Sequence, residues 1–141
     1  MDEARRKAGQ RFIEALPHAR ALGLRLVTFG EGMAEISLPY HESLIGDPQT
    51  GVIHGGAVSA LMDTCAGAAV MNHPEGGLGT ATLDLRIDYM RPATPGQAVL
   101  AHAECYHVTR SVAFVRATAM DDDRARPVAT ATGAFTVERK R

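Results

Sequence analysis

The sequence predicts one α+β domain, in which an antiparallel sheet of about six strands curls around a single long buried helix. Three observations carry this prediction. Residues Gly55–Met71 are apolar almost all round, as in a helix that is buried on every side. The segments after this helix alternate with a period of two rather than forming βαβ units. Three of those segments also carry small side chains on one face, which would let a helix approach the sheet closely.

Length and composition narrow the class of protein. The chain has 141 residues and 15.0 kDa, which is enough for one domain. Hydrophobic residues make up 45% and charged residues 22%, with a net charge of -1, so neither a disordered chain nor a general nucleic-acid binder is expected. Two cysteines and a polar N-terminus predict a cytoplasmic protein, and the most apolar stretch, residues 52–71, is too polar for a membrane span.

The predicted elements follow in order along residues 1–141. Residues 1–20 form an N-terminal helical region, with an amphipathic helix that Pro17 ends, and residues 21–138 form the core of the domain. Two short strands joined by a Gly-Glu-Gly turn precede a Gly- and Pro-rich loop and the buried helix. The predicted strands are 24–29, 33–38, 82–89, 97–107, 111–120 and 128–137.

The strand after the buried helix shows the clearest alternation. Its apolar side chains are expected to face the core and its polar side chains the solvent. The apolar set is Leu83, Leu85, Ile87 and Tyr89, and the polar set is Thr82, Asp84, Arg86 and Asp88. The small-residue face of the later strands comprises Ala101, Ala103, Ala113, Ala117, Ala119, Ala129, Ala131 and Gly133.

Asp63 is the first candidate catalytic residue, because no other charged side chain lies between His54 and Met71. An ionised carboxylate inside a buried helix is costly unless it is paired or faces a wet cleft. One interpretation is a carboxylate tuned as a base or nucleophile. The alternative is a structural cap or bridge at a subunit contact.

The glycine pair Gly55-Gly56 opens the same helix. The first N–H groups of a helix have no internal partner and carry partial positive charge, so they suit an oxyanion hole. A tight turn into the helix would explain the glycines equally well. Gly55 and Asp63 are eight residues apart, about 12 Å along a helix, whereas both groups must lie about 3 Å from one reacting centre. Two antiparallel copies of the helix would bring them together, so a site shared between subunits is predicted.

The segment HGGAVSALMD, residues 54–63, and the strand TLDLRIDYMRPA, residues 82–93, resemble the PaaI-type hotdog-fold acyl-CoA thioesterases. The resemblance covers about residues 22–137. It implies a hotdog fold, homodimers or homotetramers, and hydrolysis of an aryl- or fatty acyl-CoA without metal or other cofactor, coenzyme A being part of the substrate. It also implies that Asp63 is the catalytic carboxylate, Gly55 the oxyanion donor, His54 the motif histidine and Thr82 the residue that places the water or carboxylate.

One departure from the family concerns the loop before the motif, where an Asn is usual. This chain has no Asn there, and Asp47 or Gln49 is expected to take its place. Gly56 is a further candidate for contact with substrate. For the CoA phosphates the candidates are Arg91, and Arg110 with Ser111 in a predicted turn. The histidines and cysteines show no metal-ligand spacing, so no metal site is predicted.

Two other functions fit parts of the pattern. A hotdog module could bind an acyl ligand without catalysis, and a hotdog hydratase could share the fold, although its Asp/His pair is not visible. The lone Asp63 in an apolar helix favours the thioesterase.

Overall fold

A computed structural model describes residues 1–140. The helices are α1 (Glu3–Glu14), α2 (Pro17–Leu22) and α3 (Gly55–Met71). The strands are β1 (Arg25–Gly30), β2 (Met33–Leu38), β3 (Ile45–Asp47), β4 (Val52–Ile53), β5 (Thr82–Tyr89), β6 (Val99–Val108), β7 (Val112–Met120) and β8 (Ala129–Thr136). Six strands form one antiparallel sheet in the order β1-β2-β6-β7-β8-β5, and β3 pairs with β4 alone. The predicted α+β architecture is confirmed.

Helix α3 lies in the curl of the sheet. One face of the helix, which includes Leu61 and Cys65, is fully buried and packs on β2, β6 and β7. The opposite face, which includes Asp63 and Thr64, is partly exposed, so the helix is not buried on every side as the sequence predicts. The sheet face beneath it is lined with alanine, so the two backbones come close together. The Sγ atom of Cys65 donates hydrogen bonds to Ala34 O at 3.3 Å and to Ala101 O at 3.5 Å. Burial raises the pKa of the Cys65 thiol to about 12, so this cysteine is a core residue rather than a nucleophile.

The two edges of the sheet differ. Helix α1 covers the β1 edge, where the Gln10 side chain acts like a pairing strand. Its Oε1 accepts from Leu26 N at 2.6 Å, and its Nε2 donates to Leu24 O at 3.3 Å. The β5 edge has no covering element within residues 1–140, and Leu83 and Tyr89 on it are 58% and 50% exposed. An uncovered edge strand is a site for pairing with another chain.

The orientation of Leu83 corrects the simple alternation expected for β5. In the pairing with β8, Thr82 lies opposite Phe135 and Asp84 lies opposite Ala134, so Leu83 is an extra residue in a β-bulge. Beyond a bulge, the alternation reverses. Leu83 therefore faces solvent, whereas Thr82 turns inward toward α3, against the predicted assignment of both residues.

Within residues 1–140, no helix is both long and apolar enough to cross a membrane.

A buried ion pair closes the end of the sheet between β7 and β8. The fully buried Asp121 accepts from both terminal nitrogens of Arg91 at 2.7 Å, and from Thr94 and the backbone N–H of Asp123. The Arg91 guanidinium holds the pKa of the Asp121 carboxyl well below its usual range. Because the folded pKa is depressed, the stabilisation is complete above pH about 4 and is lost as the pH falls further.

Replacing Asp121 with Asn is expected to lower the free energy of unfolding by about 3 kcal/mol near neutral pH, because Arg91 would lose its charge partner. Urea denaturation would measure the change. Asp122→Asn is the matched control, since Asp122 is exposed and should shift stability by less than about 0.5 kcal/mol. The difference between Asp121→Asn and the wild type should shrink as the pH is lowered below 4. Equal denaturation midpoints for the two variants at pH 7 would contradict this role.

Candidate active site

The carboxylate of Asp63 is held by Thr82. Asp63 lies in the middle of α3 and is half-buried, and Thr82 Oγ1 donates to its Oδ1 at 2.6 Å. This contact exists because the bulge at Leu83 turns Thr82 inward. The second oxygen, Oδ2, accepts no hydrogen bond from residues 1–140. One oxygen of the carboxylate is thus fixed, and the other is free to face a substrate or water.

The groove in front of this carboxylate has a volume of about 460 Å³. Ser59 and Ala60 of α3 and Leu85 and Ile87 of β5 line it beside the Asp63–Thr82 pair. Pockets of several hundred cubic ångströms with few polar groups are typical of small-molecule sites.

The start of α3 presents one free backbone donor. His54 is the N-cap residue, and its Nδ1 accepts from Gly56 N at 2.8 Å. The N–H of Ala57 donates to His54 O at 3.0 Å. The N–H of Gly55 has no acceptor among residues 1–140, so it is the available oxyanion donor at this helix end. The three predicted residues therefore differ in role. His54 and Gly56 form the N-cap hydrogen bond of α3, and the N–H of Gly55 is left without an acceptor among residues 1–140.

Gly46 and Gly56 let the His54 cap form. A Cβ on Gly46 would lie 2.8 Å from the Cα of His54, and a Cβ on Gly56 would lie 2.9 Å from its Nδ1. His54 N also donates to Leu44 O at 2.7 Å, which fixes the chain as it enters α3. Strand β3, through Gly46, therefore positions the helix start by close backbone contact, for which only glycine has room.

Tyr89 and Ser59 also lie at the site, although no sequence pattern pointed to either residue. The Tyr89 hydroxyl donates to Gly55 O at 2.8 Å. Ser59 Oγ lies beside both groups and donates its one hydrogen either to the Tyr89 hydroxyl or to Gly55 O, which is 3.0 Å away. The Tyr89 ring also faces the Cα of Gly55. These contacts anchor the first turn of α3 to the end of β5. They depend on where β5 crosses α3, which a one-dimensional pattern does not reveal.

A second groove, of about 440 Å³, lies on the Gly55 side of Tyr89. Val52, Val58 and Met90 contribute to its mostly apolar wall. Tyr89 lines both grooves, so it stands between the Asp63 side and the Gly55 side of one chain.

The remaining predicted residues lie away from the Asp63–Thr82 pair. Asp47 accepts from Gln49 N and Thr50 Oγ1, so its carboxylate stabilises its own exposed loop. Neither Asp47 nor Gln49 is hydrogen-bonded to Asp63 or Gly55. Their role as a replacement for the family Asn stays a prediction.

The residues predicted to bind the CoA phosphates differ in whether their charge is already paired. Arg91 is committed to Asp121 and to the carbonyl of Arg126, which leaves its charge compensated. This arrangement weighs against the predicted phosphate contact of Arg91, whose role stays untested. Arg110 and Ser111 are exposed in the β6–β7 turn, and the Arg110 guanidinium has no partner within residues 1–140. Arg110 is therefore the better candidate for an anion.

The comparisons with known proteins place this geometry in a family. The model of the thioesterase superfamily matches residues 50–128, which include α3 with Asp63 and three of the six strands of the sheet, β5, β6 and β7. The chain belongs to the thioesterase superfamily.

Individual relatives agree with this assignment. The medium/long-chain acyl-CoA thioesterase YigI of Salmonella typhimurium is 26% identical, over 96% of this chain and 95% of that protein. The acyl-coenzyme A thioesterase PaaI of Escherichia coli is 28% identical, over 63% of this chain and 60% of that protein. A crystal structure of a Pseudomonas aeruginosa protein is 44% identical with a TM-score of 0.80, covering 90% of this chain and 94% of that one. The predictions of a PaaI-type hotdog thioesterase and of a thioester hydrolase are confirmed.

Replacing Thr82 with Val should lower kcat about tenfold, because the side chain keeps its shape but no longer donates to Asp63 Oδ1. Steady-state thioester hydrolysis would measure this loss. Thr82→Ser is the matched control, since it keeps the hydroxyl and should keep most of the activity. A Thr82→Val protein as fast as the wild type would remove Thr82 from the site.

Proposed function

We propose that this thioesterase hydrolyses acyl-CoA to the free acid and CoA at a site that two copies of the chain share. Asp63 of one copy supplies the carboxylate, and Gly55 of the other supplies the oxyanion donor. The observation that carries the proposal is the pair of contacts that ties β5 to α3: Thr82 holds Asp63 at one end, and Tyr89 anchors Gly55 at the other.

The positions of these two contacts support a site that needs a second copy of the chain. Strand β5 runs antiparallel to α3, with its first residue at Asp63 and its last at Gly55. Along α3 these two residues are eight positions, or about 12 Å, apart. A reacting carbonyl needs both groups within about 3 Å.

A second copy that pairs through the open β5 edge solves this problem. In an antiparallel pair about a two-fold axis, the Tyr89 end of one β5 lies opposite the Thr82 end of the other. Within each copy, Tyr89 is hydrogen-bonded to Gly55 and Thr82 to Asp63. The Gly55 N–H of each copy would therefore approach the Asp63 carboxylate of its partner. The exposed apolar side chains of β5 would be buried in the same contact. A homodimer, or a homotetramer built from two such dimers, therefore carries two sites per pair.

The chemistry follows from the parts that the chain provides. The Gly55 N–H would polarise the thioester carbonyl and stabilise the oxyanion that forms on attack. The free Oδ2 of Asp63 would either attack the carbonyl carbon, forming an acyl-enzyme anhydride that water then hydrolyses, or take a proton from an attacking water. In both routes the C–S bond breaks and CoA leaves as a thiolate. The reaction as proposed needs neither a metal nor a cofactor.

Two further parts of the proposal concern the surroundings of the site. The CoA phosphates would be held by Arg110 and Ser111, supported by the uncompensated charge of Arg110. A cytoplasmic location is supported by Cys65 and Cys105, which are both unpaired and buried.

Replacing Asp63 with Asn should lower kcat by about 10²–10⁴, because an amide neither attacks the thioester nor accepts the proton. The measurement is the release of free thiol from aryl-acetyl, benzoyl and straight-chain acyl-CoAs, with unfolding curves to show that the variant is folded. Asp122→Asn, an exposed change outside β5, is the control and should retain wild-type turnover. Equal turnover in Asp63→Asn and the wild type would refute the proposed role of Asp63.

Single-turnover hydrolysis in ¹⁸O-labelled water tests the nucleophilic route. Label found in the Asp63 carboxylate indicates an anhydride that water cleaves at the Asp63 carboxyl carbon, whereas label found only in the released acid fits both a general base and an anhydride cleaved at its acyl carbon.

A further inference from the structure

A cavity of about 210 Å³ lies between α1, β1 and the C-terminal half of α3. Neither Asp63 nor Thr82 lines it. Its walls include Phe12 and Ile13 of α1, Phe29 of β1, and Ala68 and Met71 of α3. Every residue that lines the cavity is uncharged. An apolar cavity of about 150 Å³ is already large enough to bind benzene, so this one has room for a hydrocarbon group.

The cavity continues the face of α3 that carries Asp63. Asp63, Gly67 and Met71 are four residues apart in sequence, so they follow one another along one side of the helix. Met71 is part of the cavity wall. A strip of α3 therefore leads from the carboxylate to the cavity.

Gly67 leaves that strip open. A Cβ at this position would meet its nearest atoms, in Phe135 and Thr80, at 3.9 Å, which is an ordinary van der Waals distance. Packing therefore does not require glycine here, although glycine in the middle of a helix is less stable than alanine. The absence of a side chain keeps space free directly beyond Asp63.

The distance along α3 from Asp63 to the cavity determines which acyl groups are long enough to reach it. Ala68 and Met71 lie five and eight residues beyond Asp63, or about 7.5 and 12 Å along the helix axis. An aryl ring attached close to the thioester would end before the cavity, whereas an extended alkyl chain would reach it. The one amide in the wall, Asn72, donates to Ala68 O at 2.8 Å and so is satisfied by the helix itself.

We propose that this cavity binds the distal methylenes of a straight-chain acyl group, so that the enzyme prefers medium- and long-chain alkyl thioesters to aryl ones. The proposal rests on the proposed function in one respect, since it takes the thioester carbon to lie at Asp63. The free energy comes from the burial of methylenes against uncharged walls.

The test is the dependence of kcat/KM on chain length, from butyryl-CoA to palmitoyl-CoA. In the wild type, kcat/KM should rise about fourfold for each methylene that enters the cavity and then level off when the cavity is full. Ala68→Leu fills part of the cavity and should bring the plateau about three carbons earlier. Phe12→Ala opens the wall at a side chain that is 57% exposed, and should move the plateau to longer chains.

Ala4→Leu is the matched control for Ala68→Leu, because Ala4 is an exposed alanine of α1 that does not line the cavity. It should leave the profile unchanged. A plateau that stays in place in both Ala68→Leu and Phe12→Ala would overturn the proposal.

Binding of non-hydrolysable S-alkyl-CoA thioethers, measured by calorimetry, separates this proposal from the catalytic one. If Asp63→Asn loses turnover but keeps an affinity that rises with alkyl length, and Ala68→Leu shortens that rise, the cavity is the alkyl site. An affinity that does not depend on alkyl length in the wild type would refute the cavity assignment while leaving the role of Asp63 intact.

Discussion

The close contact between α3 and the sheet decides where every other part of the molecule lies. A 17-residue helix fits inside the curl of six strands only because the strands present alanine to it, so that even the Cys65 sulfur reaches carbonyl groups of the sheet. Larger side chains on this face would push the helix outward, since protein interiors have little free volume. With α3 held at this depth, β5 crosses it at a fixed height, and Thr82 and Tyr89 meet Asp63 and Gly55.

In the same arrangement, the two edge strands of the sheet, β1 and β5, differ in whether another element covers them. On the β1 side, Gln10 satisfies the backbone and α1 closes the edge, and the apolar cavity forms beneath that helix. On the β5 side, the edge stays open next to the two halves of the site. Pairing at the open edge and alkyl binding at the closed one would thus use opposite ends of the sheet, with α3 connecting them.

The sequence predicted the fold well where a single pattern dominates. The bounds of α3 and β5 follow from one apolar run and one alternation, and Asp63 is conspicuous as a lone charge. What the pattern missed depends on contacts between distant segments. The bulge at Leu83 reverses the facing of Thr82 through pairing with β8, and the commitment of Arg91 to Asp121 joins residues thirty positions apart. Local periodicity carries no information on either.

The most direct test of the shared site is activity in hybrid dimers of two inactive variants, Asp63→Ala and Gly55→Pro. Proline removes the Gly55 N–H but fits the first position of a helix, and the extended backbone of His54 (φ -63°, ψ 136°) suits a residue before proline. Gly55→Ala, which keeps the N–H, is the control and should stay active. When the two inactive chains are unfolded and refolded together, each hybrid has one intact site, so the mixture should regain about a quarter of wild-type turnover. A mixture no more active than its separate components would contradict a site built from two copies.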